Sequence, residues 1–175
     1  MSDSLITIVA ILVAAILMFA FPLMSIADRN DDIAQTAVAA AVSDFVNTVR
    51  NEGKITEENY SAFRSKLDAT GNAYDVEMEV KVKSSTIGKK TSWLSSTTVG
   101  SSVYYSVYTS QIMEEVEDEA KDNTYKLKEG DIFSVTAKNQ SSTLAQVLKN
   151  AFYSVTGQGT QIVAQSSGVV QSTGN

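Results

Sequence analysis

A chain of 175 residues with a formal net charge of −6 has room for one domain plus an appended segment. It lacks the basic face that a protein tracking nucleic-acid phosphates requires. There is no cysteine and no histidine, which excludes disulfide frameworks, thiolate chemistry, the usual zinc ligands and the Ser–His–Asp triad; no metal and no cofactor is expected.

The first element is the run Leu5 to Met24, LITIVAILVAAILMFAFPLM, which carries no charge. Twenty helical residues span about 30 Å, the thickness of the hydrocarbon layer of a bilayer. Twelve of the twenty are Leu, Ile, Val or Phe, and on the insertion scale these favour the membrane by about −4 to −7 kcal/mol. The breaker Pro22 stands near the end of the run. Leu5, Ile8, Leu12, Ala15, Ile16, Phe19 and Pro22 are the candidate residues of this membrane or assembly helix. The flank Asp28 to Asp32 contains a single Arg, Arg29, so the positive-inside rule gives no orientation. Ser25-Ile26-Ala27 also fits a signal-peptidase site, with cleavage before Asp28. Against cleavage, the tail before the run has no basic residue and the run exceeds the usual 7–15 residues, so retention of the helix is expected.

From Ile33 to Val49 the apolar residues recur every four positions, at Ile33, Ala37, Ala41, Phe45 and Val49. Val38, Val42 and Val46 widen the stripe. The small residues from Ala37 to Ala41 permit close approach of a neighbour, either this chain's own domain or another copy. Gly53 suits a left-handed cap. A second helix starts at the N-cap Thr56, with Glu57 and Glu58 in its first turn and Ile55 and Tyr60 as a hydrophobic staple. Tyr60, Phe63 and Leu67 share its inner face, and Gly71 stops it.

Ala73 to Lys83 alternates strictly, Tyr74, Val76, Met78, Val80 and Val82 against Asp75, Glu77, Glu79, Lys81 and Lys83. This predicts a strand with one buried and one wet face. Ser84 to Ser102 reads as a long Ser/Thr/Gly-rich loop around Trp93, and Val103 to Tyr108 as a strand. Trp93 either folds back to plug the core, the commoner role, or joins Tyr104, Tyr105 and Tyr108 as a candidate surface contact. Ser110 to Lys121 reads as an acidic helix with Ile112, Met113, Val116 and Ala120 inward. Its carboxylates lie on a helix rather than on a Gly-bearing turn, so a solvated face is expected in place of a calcium site.

Thr124 to Leu127 and Ile132 to Lys138 read as strand pieces around Gly130, which admits a hairpin or a bulge. Thr143 and Gln146 form a capping-box pattern for a helix to Ser154, with Leu144, Val147, Leu148, Ala151 and Phe152 as its apolar face. Gly157 to Gly159 reads as a turn; it lacks the Lys and following helix of a phosphate loop. Thr160 to Ala164 and Val169 to Gln171 read as an edge strand before a frayed tail. Asn59-Tyr60-Ser61 and Asn139-Gln140-Ser141 match the glycosylation pattern, which chance also produces in so Ser/Thr-rich a chain.

The order of elements resembles type IV pilins and their relatives, including the minor pilin-like TadE proteins of tight-adherence (Flp) systems. The residues that carry the resemblance are the apolar run Leu5 to Phe21, Pro22 as a helix-kinking proline, and the alanine-rich continuation Ala34 to Val49. The block Tyr125 to Asp131 with Ile132 to Lys138, followed by a short helix, is similar to the C-terminal sheet region of such proteins. The start of the run differs from the pilin pattern: no basic residue precedes it, and the acid nearest to it is Asp3.

The expected fold is therefore α+β, a long N-terminal transmembrane and amphipathic helix followed by a small, mainly antiparallel sheet domain with short helices. The expected division is 1–27 for the membrane or assembly helix, 28–53 for its amphipathic continuation and 54–175 for a soluble domain. The resemblance implies a non-enzymatic filament subunit, membrane-anchored before assembly and displaying its domain at the cell surface. Its partners would be the membrane and its own or other pilin-like copies, with no nucleic acid and no small-molecule substrate. The alternatives are a single-pass membrane-anchored adhesion or binding module, and a secreted domain released after Ala27.

Overall fold

The computed structural model describes residues 2–83, 104–153 and 162–174. Helix α1 runs Ser2–Glu52 without interruption, 51 residues, including Pro22, a length of about 76 Å. Strand β1 (Lys54–Thr56), helix α2 (Glu57–Asp68), strand β2 (Tyr74–Lys83) and strand β3 (Tyr104–Tyr108) follow. Helix α3 (Thr109–Val116) and one 3-10 turn (Glu119–Lys121) lead into strands β4 (Thr124–Lys126) and β5 (Ile132–Asn139). Helix α4 (Leu144–Tyr153) and strand β6 (Val163–Val169) complete the described elements. The layout is the expected long apolar helix followed by a small antiparallel sheet domain with short helices.

The sheet has the order β3-β2-β5-β6, and every pairing is antiparallel. The period-two pattern of β2 is realised: Tyr74, Val76, Met78 and Val80 are buried and the charged residues between them face out. Across the sheet, Val80 stands opposite Phe133 and Met78 opposite Val135, while Ala137 lies between Val76 and Ala164. This inner face receives the second half of α1 and forms one core with Val38, Val42, Phe45, Val46 and Val49. Phe45 anchors it, stacked on Phe63 at a 4.5 Å centroid distance and edge-on to Phe133 at 5.9 Å.

The buried stripe of α1 is rotated from the expected one. Ala34, Val38, Ala41, Val42, Phe45, Val46 and Val49 are buried, whereas Ile33 is 60% exposed and Ala37 is exposed. The physical reason lies in β6, whose residues on the α1 side are small, Ala164, Ser166 and Gly168. A helix settles its narrow valine ridge into such a shallow row. Arg50 fills the space above Gly168, its Nε donating to the Val169 carbonyl at 2.8 Å.

Several local expectations change in the fold. β4 and β5 do not form a hairpin: β4 pairs with β1 in a separate two-stranded ribbon, and β5 is an interior strand of the main sheet. The turn between them is held by Asp131, only 2% exposed, which accepts hydrogen bonds from the Lys83 and Lys128 amides at 2.8 and 2.9 Å. α3 stops at Val116, and Ala120 is exposed in the 3-10 turn after it, where Asp122 and Asn123 both take positive φ. The expected edge strand is β6, which runs unbroken over 163–169 and ends before Gln171. The tail after it is tied down: the Gln171 amide donates to Arg50 O at 2.9 Å and the Gly174 amide to Leu127 O at 3.0 Å. In α4, Leu144 and Val147 are exposed and Ala145 is buried. The long loop with Trp93 and the turn Gly157 to Gly159 lie outside the described residues.

The local signals behave as their chemistry dictates. Thr56 Oγ1 accepts from the Asn59 amide and Asn59 Oδ1 from the Thr56 amide, a reciprocal cap. Thr143 and Gln146 repeat this arrangement at the start of α4. Gly53 takes φ +70, the left-handed geometry expected of a helix C-cap.

Candidate functional site

The first half of α1 leaves the domain as a bare apolar rod. Leu5, Ile8, Leu12, Ile16 and Phe19 are all exposed, Phe19 to 75%, as are Ala15 and Pro22. The most apolar 18-residue window has a mean hydropathy of 2.8 and is 6% buried in the chain. By length and composition this helix can cross a membrane, as an anchor or as a signal sequence. Its exposure sets it apart from the core helix of a soluble domain. An apolar surface of this extent is rare on a soluble monomer and marks contact with lipid or protein.

Pro22 has no amide hydrogen, so the Met18 carbonyl cannot receive its usual intrahelical bond. The helix continues through this point nonetheless. Beyond it, the charged turn Asp28 to Asp32 separates the rod from the packed half. Asp31 Oδ2 accepts from Thr143 Oγ1 at 2.7 Å, which ties α4 to α1 immediately after the apolar run. Gln35 Nε2 donates to the Val163 carbonyl at 2.9 Å and closes the start of β6 against the helix.

The stripe residues divide into two sets. Ala41, Phe45 and Val49 belong to the domain core, while Ile33 and Ala37 continue the exposed face of the rod. Tyr104, Tyr105 and Tyr108 are exposed on β3, which stands at an edge of the sheet. Thr109 pins the end of that strand: its Oγ1 accepts from the Met78 amide at 2.6 Å and is 3.2 Å from the Met78 carbonyl.

Among the described residues the ionisable groups do not converge. Asp44 and Lys66 pair at 3.3 Å on the rim of a shallow groove between α1 and α2 whose floor is Ala41, Phe45 and Phe63. Lys138 pairs with Glu77 at 2.9 Å across the wet face. Asp118 Oδ1 caps the 3-10 turn by accepting from the Ala120 amide. Among the described residues no group of three or more acids is arranged to hold a metal ion. Burial raises the Tyr60 phenol, partly offset by Arg64, with Glu117 adding to the rise. Burial pushes Tyr125 up to about 12, and Glu115, Asp131 and Tyr105 add to it. Both tyrosines are packing residues of the domain.

The glycosylation patterns fall on structural asparagines. Asn59 caps α2, and Asn139 is buried, with its Oδ1 accepting from the Ser141 amide at 2.9 Å. Sequence reading missed the Asp31–Thr143 link and the burial of Asp131. Asp31 is one of three acids in the run Asp28 to Asp32 and Asp131 is one acid after a glycine, features too common to single out.

No protein-family model, no curated protein and no solved structure matches the chain.

Proposed function

We propose that this chain is a non-enzymatic, pilin-like structural subunit of a cell-surface filament. The observation that carries the reading is that α1 is one unbroken helix with two unlike halves. One half is held by the domain through Val38 to Val49, and the other, through Leu5 to Ile26, is apolar and bare. Such a rod has two stable settings, lipid and a bundle of like helices, because both satisfy its surface without exposing it to water. Because the rod is a separate half of the helix from the one the domain holds, it can pass from one setting to the other without refolding the domain. The acids on wet faces, and the lack of His and Cys in the sequence, favour a structural role over a catalytic one.

The test is intact mass and N-terminal sequencing of the native protein from the membrane pellet and from the sheared cell-surface fraction. The expected result is a chain retaining Leu5 to Met24 in the sheared fraction. A chain beginning at Asp28 would overturn the proposal and leave a secreted domain.

A second reading, a membrane-anchored binding module, is favoured by the exposed tyrosines of β3, since Tyr is enriched at binding surfaces. Full-length protein found only in the pellet, and purifying as a monomer, would support it.

A further inference from the structure

We infer that α4 is a second membrane contact, an interfacial helix that lays Leu144 and Val147 onto the lipid surface beside the exit of the span. The inference rests on the reading of Leu5 to Met24 as a membrane span. α4 packs on α1, and the bond from Thr143 Oγ1 to Asp31 Oδ2 fixes its first turn there. Asp31 lies seven residues beyond Met24, about 10 Å along the helix axis. The headgroup layer outside the hydrocarbon is about 5–8 Å deep, and an interfacial helix buries its apolar face about 5–10 Å into that boundary. A modest tilt of the span brings α4 within reach.

The exposed residues fit this placement. Leu144 is 57% exposed and Val147 is 52% exposed; spaced three apart on one helix, they share a face. Ala145 is buried, so the first turn of α4 turns one side to the protein and leaves Leu144 and Val147 outside it. On α1, Ala27 is 2% exposed while the adjacent Ile26 is 58% exposed, so the helix already has a covered side and a bare side where it emerges. The bare apolar surface of the span ends at Ile26, and the charged turn Asp28 to Asp32, which belongs at headgroup depth, lies between it and the start of α4. The chain's net charge of −6 makes attraction to anionic headgroups a poor driving force, so the contact is apolar and the expected surface is zwitterionic lipid.

The test uses the full chain in phosphatidylcholine nanodiscs. It has no cysteine of its own, so Leu144→Cys, Val147→Cys, Leu12→Cys and Glu129→Cys each give a single environment-sensitive fluorescent label. Leu12 reports on the span, and Glu129 on the far end of the domain. Doxyl-labelled lipids, with the spin label near the headgroup or deep in the chain, supply the quencher. The expected result is shallow-quencher quenching at 144 and 147 at least threefold above that at 129, unchanged by adding anionic lipid, with deep quenching at 12. Quenching at 12 together with values at 144 and 147 equal to that at 129 would overturn the α4 contact and leave the span standing. Absence of quenching at 12 would remove both. Blue-shifted but unquenched labels at 144 and 147 would mean that protein covers this face, which also overturns the inference.

Discussion

Gly53 and Gly174 meet backbone to backbone at the end of α1: a Cβ on Gly53 would lie 2.6 Å from the Gly174 nitrogen. The contact is part of a closed set of bonds. Gly174 N donates to Leu127 O, Leu127 N donates to Gly53 O at 2.8 Å, and Ser172 Oγ bonds the Asn51 carbonyl. The chain's last residues thereby lock the helix terminus to the β1–β4 ribbon.

This gives a paired prediction. Gly53→Ala combines left-handed strain at φ +70 with a backbone overlap, and should destabilise the domain by about 3 kcal/mol. Gly71 has φ +77 but nothing within 4 Å of a new Cβ, so Gly71→Ala should cost only about 1 kcal/mol. Urea unfolding of both variants in the same detergent measures the difference; equal losses would show that the close approach carries no weight.

Asp131 has a comparable role in the turn between β4 and β5. Asp131→Ala would strand the Lys83 and Lys128 amides and should cost about 3 kcal/mol. Asp131→Asn keeps one carbonyl acceptor and should lose roughly half as much. Thermal unfolding of the two variants gives the ranking, and a more stable Ala variant would refute it.

Phe45 and Ile33 lie on adjacent faces of α1 with opposite roles. Phe45→Ala removes a ring packed against Phe63 and Phe133 and should lower domain stability by about 3–5 kcal/mol. Ile33→Ala should leave domain stability within about 0.5 kcal/mol. If the proposed function holds, Ile33→Ala should instead reduce the protein recovered in the sheared surface fraction, which quantitative blotting would show.

An acid in the bare rod tests the role of that segment directly. Ala15→Asp, or Ala14→Asp, places a charge at mid-helix, where insertion is disfavoured by about 2.5–3.5 kcal/mol. If the proposed function holds, filaments should be lost while the domain remains folded. Wild-type filament yield from such a variant would exclude the proposed assembly mode.

Tyr125 sets an alkaline limit. Its folded pKa is raised from 10.0 to about 12, so the folded state holds this proton more tightly than the unfolded chain. The resulting stabilisation is fully present below pH 10 and is lost as pH rises through the folded value. Urea midpoints should therefore fall between pH 10 and about 12, and Tyr125→Phe should flatten that part of the profile. A profile identical to wild type would assign the loss to other groups.

The local elements were legible because their signals act within a few residues. The alternation of Tyr74 to Lys83, the reciprocal caps at Thr56 and Thr143, and the left-handed Gly53 each depend on neighbours in the chain. The failures occur where partners are distant. The acidic residues continue a helical pattern through Ala120, yet the chain turns at Asp118, whose side chain caps the new turn. Gly130 suggested a hairpin, but β4 found its partner in β1, about seventy residues earlier.

From its sequence alone, this chain determined a charge-free apolar run long enough to span a bilayer, an alternating strand and capped helices, because composition and short-range hydrogen bonding specify them. Tertiary structure decided which side of α1 faces inward. Ile33 and Ala34 stand only about 100° apart on a helix, and the periodicity of the stripe fits either choice. The small residues Ala164, Ser166 and Gly168, brought across from the far end of the chain, select the Ala34–Val38 side and leave Ile33 bare.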